Sequence, residues 1–423
     1  MMKNIDILFF IEHKDREMDG TKRIIEYLLE NEKLDIVVAN TEFGFFDAFW
    51  RYNPKVVCLP YCRSKKNHVA NAFYTRNPEV HIINLNYEQI FNPTTIKFKR
   101  PQDWFAKEKV YHIAWGEQFK RYLIDNGVCA NNIFITGKPE IFFLKEMVES
   151  STGLRKKMAE EFTLDITKKW CFLPLNDGTA FMSEDRIKEE ISQGKRLPAS
   201  LESHRIAKKQ LELLLKYIQE VKEKRKEIEF ILRPHPGVSI NEYADLLAKL
   251  GIEECSNLHI IREYSVKEWL CCSNICISNW STVILDASAI GLPTYVFQPE
   301  KLPEFLDAPW IDIFKKITDY SSFEQLICEN SSMDVSSNYI SEYIDLKKKP
   351  IEEISRVILS VMSESVVKVR LRMFNAFIAE YKHLLRSKLR SFFKDTCFEK
   401  RFVNEKLKYD FFDEQIYFNS ESK

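Results

Sequence analysis

The chain has 423 residues, 45% apolar and 29% charged, enough for two or three packed domains. Lys plus Arg and Asp plus Glu both total 62, so bulk charge gives no case for a nucleic-acid-binding protein; any basic patch must be local. The ten cysteines include Cys171, Cys271, Cys272 and Cys276 in or beside apolar runs, as buried thiols are, which argues against a disulfide scaffold.

Cys58 and Cys62 are four apart, not the paired spacing of a zinc ribbon, so no structural metal is expected. The first residues lack the apolar segment of a signal peptide. No run approaches the roughly 20 apolar residues of a membrane span. These features predict a reduced, cytoplasmic protein.

In chain order, residues 5–11, 35–39, 55–60, 80–85, 110–115 and 132–137 read as short buried strands. Helical spacing is predicted over 21–31, 46–52, 87–91 and 118–126. Alternation of this kind implies a doubly wound parallel sheet. The polar helical run 146–167 marks a hinge.

A second α/β series starts at strand 170–176, passes a charged loop or helix at 183–195, and enters a long amphipathic helix at 200–226. Strand 229–232, helix 240–250, strand 258–261, helix 265–271, strand 275–278, a helix and strand 292–297 complete it. After about Ser336 the character changes: 351–362 is helical, and 366–393 mixes apolar residues with Lys368, Arg370, Arg372, Lys382, Arg386, Lys388 and Arg390. A basic helix with apolar positions suits peripheral contact with the inner membrane surface, or else a packed helix with a solvated basic face. The aromatic and acidic end, 409–423, is expected to dock or fray. Domains are therefore drawn at 1–150, 151–335 and 336–423.

Two loops carry the chemistry. Strand 229–232 stops at Arg233-Pro234-His235-Pro236-Gly237, a basic turn fenced by prolines. Strand 275–278 stops at Asn279-Trp280-Ser281-Thr282, and helical spacing follows to Gly291. Alone, His235 would be a turn residue and Ser281 an ordinary helix cap. Together, at strand ends where open α/β sheets bind ligands, Arg233, His235, Asn279, Ser281 and Thr282 read as a rim for phosphate. Asn176-Asp177-Gly178 ends another strand and reads either as a donor contact or as a plain Asp-Gly turn. Asp286 reads as a ribose contact or a loop-orienting group.

These loops, with Asp286-Ala287 and Gly291-Leu292-Pro293, resemble the C-terminal half of bacterial surface-carbohydrate biosynthesis proteins, glycosyltransferases of the two-Rossmann (GT-B) type. They are also similar to the His-Pro and paired-hydroxyl motifs of bacterial sialyltransferases and Kdo transferases, and more distantly to CDP-glycerol glycerophosphotransferases. The segments 11–20, 114–117 and 136–139 look like the surface-carbohydrate group too, so the resemblance covers roughly residues 5–300. It implies that the His and the hydroxyl pair hold the donor nucleotide's phosphate. It also implies two Rossmann-like domains facing a cleft, here with a C-terminal helical extension.

Sugar transfer needs a group to take the acceptor proton and positive or dipolar groups on the departing phosphate. The base is expected from the N-terminal domain: Glu88 and Glu12 lead, with Glu17 and Asp19 at the following helix. His13 and His112 are structural or assisting. His235 stabilises charge on the leaving phosphate or acts as general acid. No Asp-x-Asp pair stands out, so a metal-independent transferase without cofactor is expected.

The reading is a cytoplasmic glycosyltransferase of capsule, O-antigen or lipooligosaccharide synthesis. It would move a nonulosonic acid or Kdo from a CMP-activated donor to a glycan or glycolipid acceptor. CDP-polyol phosphotransfer, UDP-sugar transfer or epimerisation, and a non-catalytic assembly scaffold are the alternatives.

Overall fold

The computed structural model describes residues 2–235, 238–252, 256–329, 337–363, 370–403, 407, 412 and 416–419. Pro236, Gly237, Lys368 and most of the run 409–423 lie outside the described residues. The chain forms two compact units: Met1–Ile90, Lys97–Glu140 and Ser341–Lys423 make the first, and Phe91–Ile96 with Ile141–Ile340 the second.

The first unit holds β1 (Lys3–Ile11), β2 (Asp35–Asn40), β3 (Tyr52–Leu59), β4 (His81–Asn84), β5 (Val110–Ala114) and β6 (Ile133–Ile135). The second holds β7 (Lys169–Leu173), β8 (Ile228–Leu232), β9 (Leu258–Ile260), β10 (Ile275–Ser278), β11 (Thr294–Phe297) and β12 (Lys316–Ile317), while β13 (Ile416–Asn419) returns to the first.

In the first sheet the order is β13-β2-β1-β3-β4-β5-β6, all parallel except β13, which runs antiparallel to β2 with Ile416 opposite Val38. Both faces are covered, as an all-parallel sheet requires. Phe10, Phe45, Phe49 and Phe73 fill one side; Phe9, Ile24, Leu28 and Ile358 fill the other. The strand order turns back between β1 and β3, so the ligand-binding crevice of this unit falls at their carboxyl ends.

The second sheet, β12-β11-β10-β7-β8-β9, turns back between β7 and β10. The long helix Ser200–Val221 buries Leu211, Leu214, Leu215 and Ile218 against one face, as its apolar spacing predicts. Glu229 is a carboxylate inside β8, 2% exposed, but it is fully engaged: His259 Nε2 is 2.8 Å away and Lys168 Nζ 3.0 Å. Buried charge is tolerated on such terms.

The structure departs from the sequence reading in organisation. The main run of the second unit begins at Ile141 rather than residue 151, and the hinge run is two helices, Pro139–Glu149 and Ser151–Phe162. Residues from 341 onward are not a separate extension; they complete the first unit. The helix Pro350–Met362 packs on Lys14–Asn31 through Ile354, Val357 and Ile358. The helix Met373–Phe393 packs on Phe45–Arg51 and His68–Arg76. Residues 87–91 form no helix; the helix there is Pro93–Lys99, because Asn92 supplies a side-chain acceptor to Thr95 N, 2.9 Å away.

Candidate functional site

At the turning point of the second sheet three loops are tied together. Ser278, the last residue of β10, donates its hydroxyl to the Pro174 carbonyl (2.5 Å). Asn279 follows, 2% exposed, and its Oδ1 accepts the Asn176 N–H at 2.9 Å. On the other flank, the Arg233 N–H reaches the Leu173 carbonyl (3.3 Å), and the imidazole of His235 rests on Gly178. The loop after β7 is thus the keystone between those after β10 and β8. Its far end is fixed by the long helix, where His204 Nδ1–H donates to the Thr179 carbonyl at 2.7 Å.

Asp177 sits in the middle of this loop and is the unusual group. It is 1% exposed, and its carboxylate has no side-chain partner; the polar groups near it are two backbone amides, its own and that of His235. Burial pushes its acid constant up to about 7, offset only in part by its own amide and that of His235. A carboxyl held in the interior without a side-chain partner costs free energy.

Arg233 is half buried. One Nη donates to the Tyr264 carbonyl (3.0 Å), while Nε is buried without a partner. Desolvation, reinforced by Arg262, lowers its acid constant. Tyr264 adopts φ of 62°, a left-handed backbone that is uncommon for a bulky side chain and belongs with special sites.

The hydroxyl pair differs from expectation. Thr282 precedes the seven-residue helix Val283–Ala289 but has helical angles (φ −64°, ψ −12°), so its hydroxyl makes no cap bond. Ser281 is half buried, Thr282 exposed, and Asp286 half buried in the first turn. Moreover β7 lies between β8 and β10, which sets the His235 and Ser281 loops two strand spacings apart, about 10 Å. They flank the Asn176–Gly178 loop instead of adjoining one another.

In the first unit, Glu12, Glu17 and Glu88 do gather, but with cations that the sequence reading did not assign. Glu17 is fully buried in the first turn of helix Lys14–Asn31, where it accepts the Glu12 N–H (2.8 Å) and pairs with Arg16 (2.8 Å). It holds the loop and is not presented to a ligand. Glu88 is bridged by Arg16 (3.1 Å), Arg63 (3.7 Å) and Lys99. Lys99 is pushed down to about 8, by burial first and then by Arg63 and Arg16. Glu12 is half buried beside them.

Asp19 is exposed. His13 precedes helix Lys14–Asn31 without a side-chain cap bond, and His112 is a core histidine. Arg16 falls within the segment 11–20, whereas Arg63 and Lys99, in a loop and a short helix, carry no sequence pattern that marks them.

A hollow of about 600 Å³ lies at the opposite, amino-terminal edge of the second sheet, lined by Arg155, Lys168, Lys169 and Asn274. Its cations are spent: Arg155 on the Cys272 and Lys168 carbonyls and on Asn274 Oδ1, Lys168 on Glu229, and Lys169 on the Ile327 and Glu329 carbonyls. It is structural. Among the described residues, no three His, Cys, Asp or Glu side chains are grouped to hold a metal ion, and no helix is long and apolar enough to cross a membrane.

No protein-family model matches the sequence, and no curated protein matches it. Solved structures do match in fold. UDP-GlcNAc 2-epimerase from Neisseria meningitidis, bound to UDP-GlcNAc, superposes with TM-score 0.55 at 11% identity over 86% of this chain and 100% of that one. The UDP-GlcNAc 2-epimerase of Methanocaldococcus jannaschii gives 0.55 at 12% identity over 85% and 100%. The wall teichoic acid polymerase TagF gives 0.52 at 14% identity over 86% and 91%. The chain therefore has the GT-B type of fold, two Rossmann-like α/β domains, in common with enzymes of both kinds.

Proposed function

We propose that the protein is a GT-B enzyme of cell-surface glycan synthesis that transfers a sugar from a nucleotide-activated donor to a glycan or glycolipid acceptor. The observation that carries this is Asp177: a buried carboxyl without a side-chain partner, near neutrality, at the turning point of the second sheet, one residue from the glycine that seats His235. A carboxyl with that constant can accept a proton near pH 7.

In the reaction, the acceptor hydroxyl oxygen bonds to the anomeric carbon as its proton passes to the Asp177 carboxylate. The anomeric carbon–oxygen bond to phosphate breaks, and the nucleotide leaves with that electron pair. His235 and Arg233 balance the charge on the departing phosphate, and the Ser281 and Thr282 hydroxyls donate to it. Asn279 fixes the loop; Asp286 faces the nucleoside.

A CMP-activated acidic sugar is the donor favoured by the resemblance of the His-Pro and hydroxyl motifs. UDP-sugar epimerisation is the second reading, favoured by the fold shared with an enzyme bound to UDP-GlcNAc. Isothermal titration with CMP, CDP and UDP, then mass-spectrometric assay of activated sugars with lipid-linked acceptors, separates the two. Tight CMP binding lost in His235→Ala, with acceptor-dependent turnover, supports transfer. Turnover of a UDP-sugar without acceptor supports epimerisation. Binding of none of them overturns both.

A further inference from the structure

The helix Met373–Phe393 has two apolar faces. One is spent: Ala376 and Leu384 are buried in the core of the first unit, and Ser387 is tied to the Phe43 carbonyl at 2.9 Å. The other is not. Phe374 (74% exposed), Ile378 (55%), Tyr381 (55%), Leu385 (51%) and Phe392 (69%) follow one another at steps of 4, 3, 4 and 7, the helical spacing of a single stripe. The helix bends at Glu380 (φ −122°, ψ 15°), and the exposed residues continue on both sides of the bend. Contiguous apolar surface of this kind marks an interaction site.

Charge says what covers it. The helix has one acidic residue, Glu380, which is buried and bonded to Asn71. Arg372 at its start, then Lys382 and Arg386 beside the stripe, are exposed; Lys388 is also exposed but paired with Asp47. A second copy of the chain docked here would set these cations against their own kind. An anionic lipid surface accepts both features at once: the rings enter the boundary between headgroups and acyl chains, and the cations lie among the phosphates.

We propose that the exposed face Phe374–Ile378–Tyr381–Leu385–Phe392, with Lys382 and Arg386, seats the protein on anionic membranes. This assignment stands independently of which sugar is moved.

The test is co-sedimentation of the full chain with phosphatidylcholine vesicles, with and without about one-third phosphatidylglycerol, at low and high salt. Binding is expected only to the anionic vesicles and should weaken with salt. Triple replacement of Phe374, Ile378 and Leu385 by Ser should cut it at least tenfold. Lys382→Glu with Arg386→Glu should cut it by more than the about fivefold expected for each lost cation. Because these side chains are exposed, both variants should keep the parent's melting temperature. Equal binding to neutral and anionic vesicles, or unchanged binding by either variant, overturns the proposal. So does a parent that sediments as a dimer and a triple variant that sediments as a monomer.

Discussion

Gly178 lies directly under the His235 ring: a Cβ there would lie 2.7 Å from Nδ1 and 2.9 Å from Cγ of the imidazole, so any side chain at 178 has to displace one or the other. The ring position is thereby set by a loop on the neighbouring strand, not by its own proline-flanked turn alone.

Gly178→Ala must therefore push the imidazole or the Asn176–Asp177 backbone aside. Overpacking of this kind costs about 1–3 kcal/mol. Nucleotide affinity should fall at least tenfold, measured by titration calorimetry. In a cycle with His235→Ala the two losses should be strongly non-additive, because both act on one ring. Additive losses would mean that Gly178 contributes by some other route.

Asp177 makes stability fall as pH rises. Its folded constant, about 7, exceeds the ordinary 3.8, so between these values the folded chain holds a proton that the unfolded chain has released. The span of about three units corresponds to roughly 4 kcal/mol, at 1.36 kcal/mol per unit, as an upper limit. Asp177→Asn should thus be more stable than the parent at pH 8, with the difference vanishing near pH 4, by urea unfolding at each pH. Turnover should rise through about pH 7 in the parent, and the variant should be inactive. A variant that loses stability equally at both pH values would refute the buried-acid account.

Much of this was legible in the sequence because parallel strands covered on both faces are near-continuous apolar runs, and Ile240–Leu250 and Ile275–Ser278 are found where the pattern put them. The loops Asn176–Gly178, Arg233–His235 and Asn279–Thr282 were legible as strand ends. Their spatial order was not. β7 stands between β8 and β10 through a crossover that leaves no local trace, and Asp177's isolation is a property of three loops at once. The C-terminal return was hidden for a similar reason: β13 pairs with β2 across nearly the whole chain, and no periodicity encodes a partner.

Glu88→Gln should spare turnover and disturb the loop. Its carboxylate is already ion-paired with Arg16, Arg63 and Lys99, so it serves better as a strut than as a base. Removing its charge leaves Arg63 and Lys99 short of a partner, while Arg16 keeps Glu17. We expect kcat within about tenfold of the parent, KM for the acceptor changed, and a stability loss of about 1 kcal/mol, the scale of a partly exposed pair. A collapse of kcat with KM unchanged would restore Glu88 as the base.

His112 should make the first unit acid-sensitive. It is 1% exposed, its Nε2–H donates to the Ala106 carbonyl (2.7 Å), and its Nδ1 faces Asn84 Nδ2 (3.3 Å), a set that needs the neutral ring. Burial lowers its constant to about 4 from 6.5. The unfolded chain therefore takes up a proton first as pH falls, and stability present above 6.5 is lost on the way to 4, by up to about 3 kcal/mol. His68, stacked 4.6 Å from His383 and also lowered to about 4 by burial, adds a loss of the same sign. His112→Asn should flatten, without abolishing, the decline in unfolding free energy between pH 6.5 and 4.

The return of the chain to the first unit rests on two glycines. A Cβ at Gly116 would lie 2.5 Å from the Glu342 carbonyl oxygen and 2.7 Å from the carbonyl carbon of Tyr343. Gly137 has φ of +79° and meets the Asp345 carbonyl. Between them the Asp345 N–H donates to the Trp115 carbonyl at 2.8 Å. Backbone cannot yield as a flexible side chain can, so Gly116→Ala has to displace the segment that leads into helix Pro350–Met362. That helix buries Ile354, Val357, Ile358 and Val361 against the first sheet's own core. Loosening it exposes apolar surface on helix Lys14–Asn31, and a loss above about 2 kcal/mol is expected, in the range of core disruption. Hydrogen exchange should show faster exchange in 14–31 and 350–362, with the second sheet, β7 to β12, unaffected. Uniform faster exchange in both units, or none, would show that the crossing at 116 does not hold the return in place.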